Sequence, residues 1–255
     1  MSLRKPWDRE DLLVAYHFYL TIPFGQFHQH NKILIDAAEK MGRSPSSLAM
    51  KLSNIASIDP TFLASGRSGL SGASKADKAM WEEMSADWEA FLFNSKTALI
   101  ALKTSGSADQ EEEESSSDNH YGKTKESTIQ SRVGQQFFRK AVLSAYDYRC
   151  CITGLAEPLL LIASHIKPWT EDPQNRLNPR NGLCLNMLHD KAFDRGIFSF
   201  DDDLRIIVDN QFKKDADPYF VKNILGYEGK KIRLPQKFLP DTEFVTSHRR
   251  SHFLQ

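Results

Sequence analysis

The stretch Thr104–Ser131, TSGSADQEEEESSSDNHYGKTKESTIQS, constrains the fold more than any other feature. It carries seven acidic and two basic side chains and almost no large apolar ones. Such a segment cannot bury enough surface to offset the entropy of ordering it. It reads as a flexible acidic linker over 104–131. The alternative is an acidic mimic of phosphates that fills a basic groove until DNA displaces it. Either way the chain divides into residues 1–103 and 132–255, each long enough to bury a core and expected to fold alone.

Charge follows that division. Residues 1–103 hold 12 Lys and Arg against 11 Asp and Glu, and residues 132–255 hold 19 against 15. Mild basicity permits nucleic-acid binding without establishing it. Hydrophobic residues at 40% argue for globular halves. No apolar run approaches the roughly 20 residues of a membrane span, and MSLRKPWDRE lacks the apolar stretch of a signal peptide. Three cysteines without a CxxC pair exclude a disulfide framework and a four-cysteine zinc site. A reduced, cytoplasmic protein with no membrane partner is the expectation.

The first half reads as all-α. Leu12, Leu13, Tyr16, Phe18, Tyr19 and Leu20 recur at helical spacing. Asn31 caps a second helix through Met41, stopped by Gly42. Ser44 and Pro45 then open a third through Ile55. Two helices joined by Gly42-Arg43-Ser44 form a helix-turn-helix-like pair. As a DNA reader, the second would present Ser46, Ser47, Met50, Lys51 and Asn54, with Arg43 and Lys51 on phosphates and Asn54 at base edges. An ordinary solvated corner of a helical bundle has the same pattern. The glycine-rich SGRSGLSGAS lacks the Gly-Lys-Ser/Thr of a phosphate-binding loop, though its Arg67 could reach a DNA backbone. Ser74 and Asp77 resemble a capping box at the head of one long helix that carries Met80 to Leu92.

The second half carries the chemistry. A helix over Val133–Asp147 leads into RCCITG, a short apolar strand LLLIAS, and His165 at its end. A polar loop follows, then Asn181-Gly182, a second apolar run LCLNML, and a helical HDKAFDRG that contains His189. IFSFDDDLRIIVD reads as a hairpin, Tyr219–Leu225 as a short helix, and the tail from Asp241 as a closing helix. Overall the class is α+β.

Four ordered motifs lie here: Cys151-Ile-Thr-Gly154, Ala163-Ser-His-Ile-Lys-Pro-Trp169, Asn181-Gly-Leu-Cys-Leu185 and His189-Asp-Lys-Ala-Phe-Asp-Arg-Gly196. In this order they resemble the HNH endonuclease family, whose core is two antiparallel strands and a helix around one metal ion. The resemblance spans about residues 137–208, and more loosely the tail SHRRSHFL. It implies a ββα-metal nuclease domain that hydrolyses phosphodiester bonds of DNA. His165 would be the general base, and imidazole titrates in the range that role needs. Asn181 would hold the loop and orient His165. His189 would bind one divalent cation, Mg²⁺ first, with Mn²⁺ or Ni²⁺ as alternatives.

Two departures matter. Ser164 stands where many members place a metal-binding Asp or His, and its neutral hydroxyl is a weaker ligand. Asp194 or Asp190 could supply the missing carboxylate. Asp194 is roughly 140° around a helix from His189, so the two do not obviously share a face, and Asp194 could instead pair with Arg195 or cap a turn. The family's four-cysteine knuckle is absent, which leaves Cys150, Cys151 and Cys184 as small buried hydrophobes. Lys167, Arg176, Arg180 and Arg195 are candidate phosphate contacts. His17, His28, His30, His120, His248 and His252 have no constellation around them.

The resulting expectation is a metal-dependent DNA endonuclease of the bacterial restriction or defence type, with residues 1–103 supplying targeting, possibly to modified DNA. Double-strand cleavage needs two active sites or two visits, which a homodimer would provide. The rival is a non-catalytic DNA-binding protein with a decayed HNH core, for which Ser164 is the best support.

Overall fold

The computed structural model describes residues 5–64, 72–104, 125–214 and 216–253, with side chains at 125–130 and 252 left aside. Most of the segment read as a linker, and Arg67 with its glycine-rich loop, lie outside the described residues. The part of the linker that is described, from Lys125, is helical, so the expected boundary at 132 comes too late.

The N-terminal half is all helical: α1 Arg9–Thr21, α2 Lys32–Lys40, α3 Pro45–Ala56, α4 Pro60–Ala64, α5 Lys75–Ala86 and α6 Trp88–Thr104. Asp8, Asn31 and Ser44 cap the first three through their side chains. Ser74 and Asp77 form the expected reciprocal box. The single long helix expected after Ser74 is instead two. Asp87 takes extended backbone, and its Oδ1 accepts from the N–H groups of Glu89 and Ala90, so it caps a new helix. Helix α1 is apolar on nearly every side because it is enclosed by α3, α5, α6 and α7.

The helix-turn-helix-like pair forms, with Gly42 at φ 64° between α2 and α3. Its cations, however, point inward. Arg43 binds Asp11 and the carbonyls of Lys5 and Pro6, with its guanidinium 3.9 Å above the Trp7 ring. Lys51 is 6% exposed, and its Nζ lies 2.8 and 3.0 Å from the two oxygens of fully buried Asp77. Both of these expected phosphate contacts are held in ion pairs within the bundle. Both are spent on ion pairs that close the bundle, because a buried carboxylate needs a cation. Ser46 and Met50 are exposed and Asn54 is half-buried, so the outward face of α3 keeps polar and apolar groups but neither cation.

The C-terminal half contains α7 Lys125–Ala145, the antiparallel pair β1 Leu161–His165 and β2 Gly182–Asn186, then α8 Met187–Asp194. A second antiparallel pair follows, β3 Phe198–Phe200 and β4 Ile206–Val208, then α9 Pro218–Asn223 and α10 Thr242–Phe253. These match the expected hairpins and short helices, and the mixture of helices with two small sheets is α+β. Cys150, Cys151 and Cys184 are fully buried, and burial pushes the Cys184 thiol up to about 12. They are inert core groups, as read from the sequence.

The two halves share one core. Helix α7 packs on α1, and the Ser144 hydroxyl donates to the Leu20 carbonyl at 2.8 Å. The Lys237 ammonium is fully buried at the C-terminal end of α1, donating to the carbonyls of Tyr19 (2.5 Å) and Ile22 (2.8 Å). Those carbonyls have no intrahelical partner, and the helix dipole places negative charge there. Phe238 stacks on Trp81 and donates its N–H to Asp59. Residues 237–239 are thus built into the N-terminal bundle, whereas the sequence led us to expect two halves that fold alone.

Burial lowers the Lys237 pKa to about 7, well below the 10.5 of a solvated lysine. Between those values the unfolded chain holds the extra proton, so this group makes stability rise with pH from about 7 to 10.5. Lys237→Met should orphan the α1 carbonyls, cost roughly 2–4 kcal/mol at pH 7, and flatten that rise. Urea unfolding at pH 7 and pH 9 checks both.

Candidate active site

The β1–β2 register pairs His165 with Gly182 at the end of the hairpin nearest α7. A Cβ on Gly182 would lie 2.3 Å from Val142 Cγ2 and 2.9 Å from Phe138 Cζ, so only glycine permits α7 this close. The approach sets the Phe138 ring against His165, stacked at 3.8 Å and 7° between planes. The Trp169 ring meets the imidazole edge-on at 5.4 Å. These two rings fix the plane of His165.

Its hydrogen bond fixes the tautomer. His165 Nε2 lies 3.0 Å from the Arg176 carbonyl, which can only accept, so Nε2 carries the proton. In the neutral ring Nδ1 is then the basic nitrogen, and it makes no hydrogen bond among the described residues. Burial lowers the His165 pKa, while the Arg176 carbonyl and the Asp194 charge partly oppose this. The ring is thus neutral, oriented and basic near pH 7.

Asn181 holds the loop that carries these groups. It is 1% exposed, and its Oδ1 accepts from the Lys167 N–H at 2.8 Å while its Nδ2 donates to the Lys167 carbonyl at 3.1 Å. Its own carbonyl accepts from the N–H of Ile166. The side chain thus clips the two residues after His165 to the start of β2.

A cleft of about 330 Å³ opens beside His165, lined among others by Ser164, Trp169, Asp190, Asp194 and His248. Asp190 and Asp194 are four residues apart on α8 and so share a face. Burial raises the Asp190 pKa, opposed by the Ser164 hydroxyl and reinforced by the negative charge of Asp194. Ser164 Oγ itself is buried with no hydrogen bond of ordinary geometry. Asp194 forms no ion pair with Arg195 among the described residues, and instead faces the cleft.

His189, the expected metal ligand, is not among the residues that line this cleft. It is 3% exposed, with Nδ1 2.9 Å from Asn186 Oδ1 and Nε2 3.0 Å from the Asn223 carbonyl. Asn186 is the N-cap of α8 and accepts the His189 N–H through the same oxygen. In the neutral ring only one nitrogen can donate, and Nε2–H to the Asn223 carbonyl is the bond that ties α9 onto α8.

Among the described residues no three His, Cys, Asp or Glu side chains converge as a preformed metal cage. What the cleft offers is an oxygen set: two carboxylates and the unpaired Ser164 hydroxyl. That fits a hard divalent cation such as Mg²⁺, which takes one or two carboxylates and completes its shell with water and substrate phosphate.

Of the candidate phosphate contacts, Lys167 pairs with Asp172 at 3.2 Å and Arg180 with Asp241 at 3.1 Å. Arg176 is turned onto Trp169, donating from Nε to its carbonyl. Arg195 is exposed at the end of α8, without an ion pair among the described residues. Sequence reasoning passed over His248, which stacks on Phe193 at 3.7 Å, donates from Nε2 to the Phe193 carbonyl and accepts from the Ser199 hydroxyl at Nδ1. It pins α10 against α8 at the wall of the cleft. Only the loose resemblance of SHRRSHFL pointed to it.

The antiparallel hairpin β1–β2, the helix α8 that follows it, and the cleft that His165 shares with Asp190 and Asp194 form a ββα arrangement. Residues 150–201 match the model of the HNH endonuclease family. No curated protein matches the chain. The matched segment includes β1, β2, α8 and β3, and leaves out α7, α10 and the N-terminal bundle.

Gly182→Ala should force α7 off the hairpin, costing about 1–3 kcal/mol and displacing Phe138 from His165. Thermal unfolding reads the first effect and loss of stacked-ring chemical shifts on His165 the second.

Proposed function

We propose that the protein is a divalent-metal-dependent DNA endonuclease that hydrolyses phosphodiester bonds in the cleft beside His165. The observation that carries this is the His165 tautomer: Nε2 is anchored on the Arg176 carbonyl, leaving Nδ1 as base next to Asp190 and Asp194. In this reading Nδ1 takes a proton from the attacking water. Phe138 and Trp169 hold the ring, and Asn181 holds the loop behind it. Asp190, Asp194 and Ser164 would hold the cation, which when bound supplies positive charge to the phosphate and the leaving oxygen. Arg195 is the unpaired candidate for a phosphate contact at the mouth.

A nuclease core of this size makes few base contacts, so targeting falls to another surface. The N-terminal bundle is the candidate, through Ser46, Met50 and Asn54 on α3 rather than through Arg43 or Lys51. Restriction or defence against foreign or modified DNA is the biological role that such a division of labour serves. The rival of a decayed core loses its main support, because two carboxylates stand in the cleft where Ser164 alone seemed deficient.

Plasmid nicking with Mg²⁺ and with EDTA tests the proposal; no cleavage with any of Mg²⁺, Mn²⁺ or Ni²⁺ would contradict it. His165→Ala should lower the rate by about 10²–10⁴-fold with DNA binding retained. Because its pKa is depressed, the wild-type rate should rise with pH through an inflection below 6.5 and then level off.

Asp190→Asn and Asp194→Asn should each weaken Mn²⁺ binding by tenfold or more in calorimetric titration. His189→Gln should leave that affinity within a few-fold and lower stability instead. A loss of affinity in His189→Gln alone would restore the sequence-based assignment.

A further inference from the structure

A row of cations lies at the far end of the hairpin from His165. Arg149 Nη1 reaches the Gly154 carbonyl at 3.5 Å, and Arg233 Nη1 lies 3.4 Å from where a Cβ on Gly154 would stand. The two guanidinium groups therefore flank one glycine. Arg233 is anchored by its N–H on the Cys151 carbonyl. Two residues earlier, Lys231 forms a bridge with Arg205. Lys231 and Arg233 are exposed on either side of buried Ile232, so the extended segment presents both to the same side.

Arg149, Arg205, Lys231 and Arg233 are all exposed, and none forms an ion pair among the described residues. The Arg205 guanidinium donates to the Gly229 carbonyl at 3.2 Å, and its backbone N–H donates to Asp201 Oδ1 at 2.8 Å. This differs from Arg43, Lys51, Lys167 and Arg180, each of which has a carboxylate partner. Arg149 and Arg205 reach backbone carbonyls, and none of the four side chains forms an ion pair among the described residues, so an anion that covers them relieves their mutual repulsion.

The row is coupled to the cleft. Thr153, in the same loop as Gly154, meets Asn186, whose partner in the register is Leu161. From Leu161 to His165 is four strand residues, roughly 13 Å. A duplex with its scissile phosphate at His165 has further phosphates of the same strand within that reach.

We infer that Arg149, Arg205, Lys231 and Arg233 form a phosphate track that holds duplex DNA beside the cleft. The inference rests on the nuclease reading and adds to it a surface outside the site. The track carries affinity and register rather than sequence.

The test uses the full-length chain with His165→Ala, so that DNA is bound and not cut. Binding to a labelled duplex is titrated by fluorescence anisotropy over a series of NaCl concentrations in Mg²⁺ buffer. Each phosphate contact contributes about 0.9 to the slope of log K against log salt. Replacing all four cations by Gln should reduce the slope by roughly 3 to 4. The double variant Arg149→Gln/Lys231→Gln, which leaves the Gly229 and Cys151 anchors intact, should reduce it by roughly 2. Lys32→Gln/Lys40→Gln on α2 should leave it unchanged.

An unchanged slope in the double variant overturns the track. If the wild-type chain still nicks plasmid, the nuclease reading survives that result. Failure of the wild-type chain either to bind or to cut DNA overturns both. Equal affinity and slope for single-stranded RNA of the same length would also overturn the inference, by showing a surface for any polyanion.

Discussion

Helix α7 lies against the β1–β2 hairpin at a distance that only a glycine at 182 allows, and the site is built on that approach. Val142 and Phe138 occupy the space a side chain there would need. Phe138 consequently stacks on His165 and fixes the plane in which its ring can turn. Arg139, one residue on, donates to the carbonyl of Leu161 and so holds the other end of the same strand. One turn further, Ser144 reaches the Leu20 carbonyl of α1. A single helix thus ties the N-terminal bundle, both ends of the strand and His165 into one rigid unit, as a preorganised site requires.

Buried cations finish the work. Lys237 closes the α1 carbonyls from the C-terminal half, while Arg43 and Lys51 satisfy Asp11 and Asp77 inside the bundle. Removing one partner from such a pair leaves an uncompensated buried group and is costly. The same economy explains the surface. Cations committed to buried partners cannot serve DNA, whereas Arg195 and the row beyond the hairpin are exposed and form no ion pair among the described residues.

Much of this was legible in the sequence because it is local. Asn31, Ser44 and the Ser74–Asp77 box act within four residues of themselves, and so these caps were read correctly. The two hairpins and His165 at its strand end followed from apolar runs broken by turn residues. Asn181 was placed in the loop-holding role that its two bonds to Lys167 display. The break at Asp87 is local, but most of what was missed is long-range. Nothing near Lys51 shows that Asp77 will accept it, or near Lys237 that α1 ends there. His189 matched a motif, but its partner Asn223 lies 34 residues on, and that contact turns the ring away from the cleft. Spacing did carry a warning, since His189 and Asp194 could not share a helix face, whereas Asp190 and Asp194 do.

The central claim is that His165 presents a basic Nδ1 because Nε2–H is held by Arg176. Nitrogen-15 NMR of histidine-labelled protein, titrated from pH 4 to 8, measures tautomer and pKa together. The account predicts that neutral His165 is protonated at Nε2, with its titration midpoint below the ordinary 6.5. A neutral ring protonated at Nδ1, or a midpoint above 6.5, would contradict it.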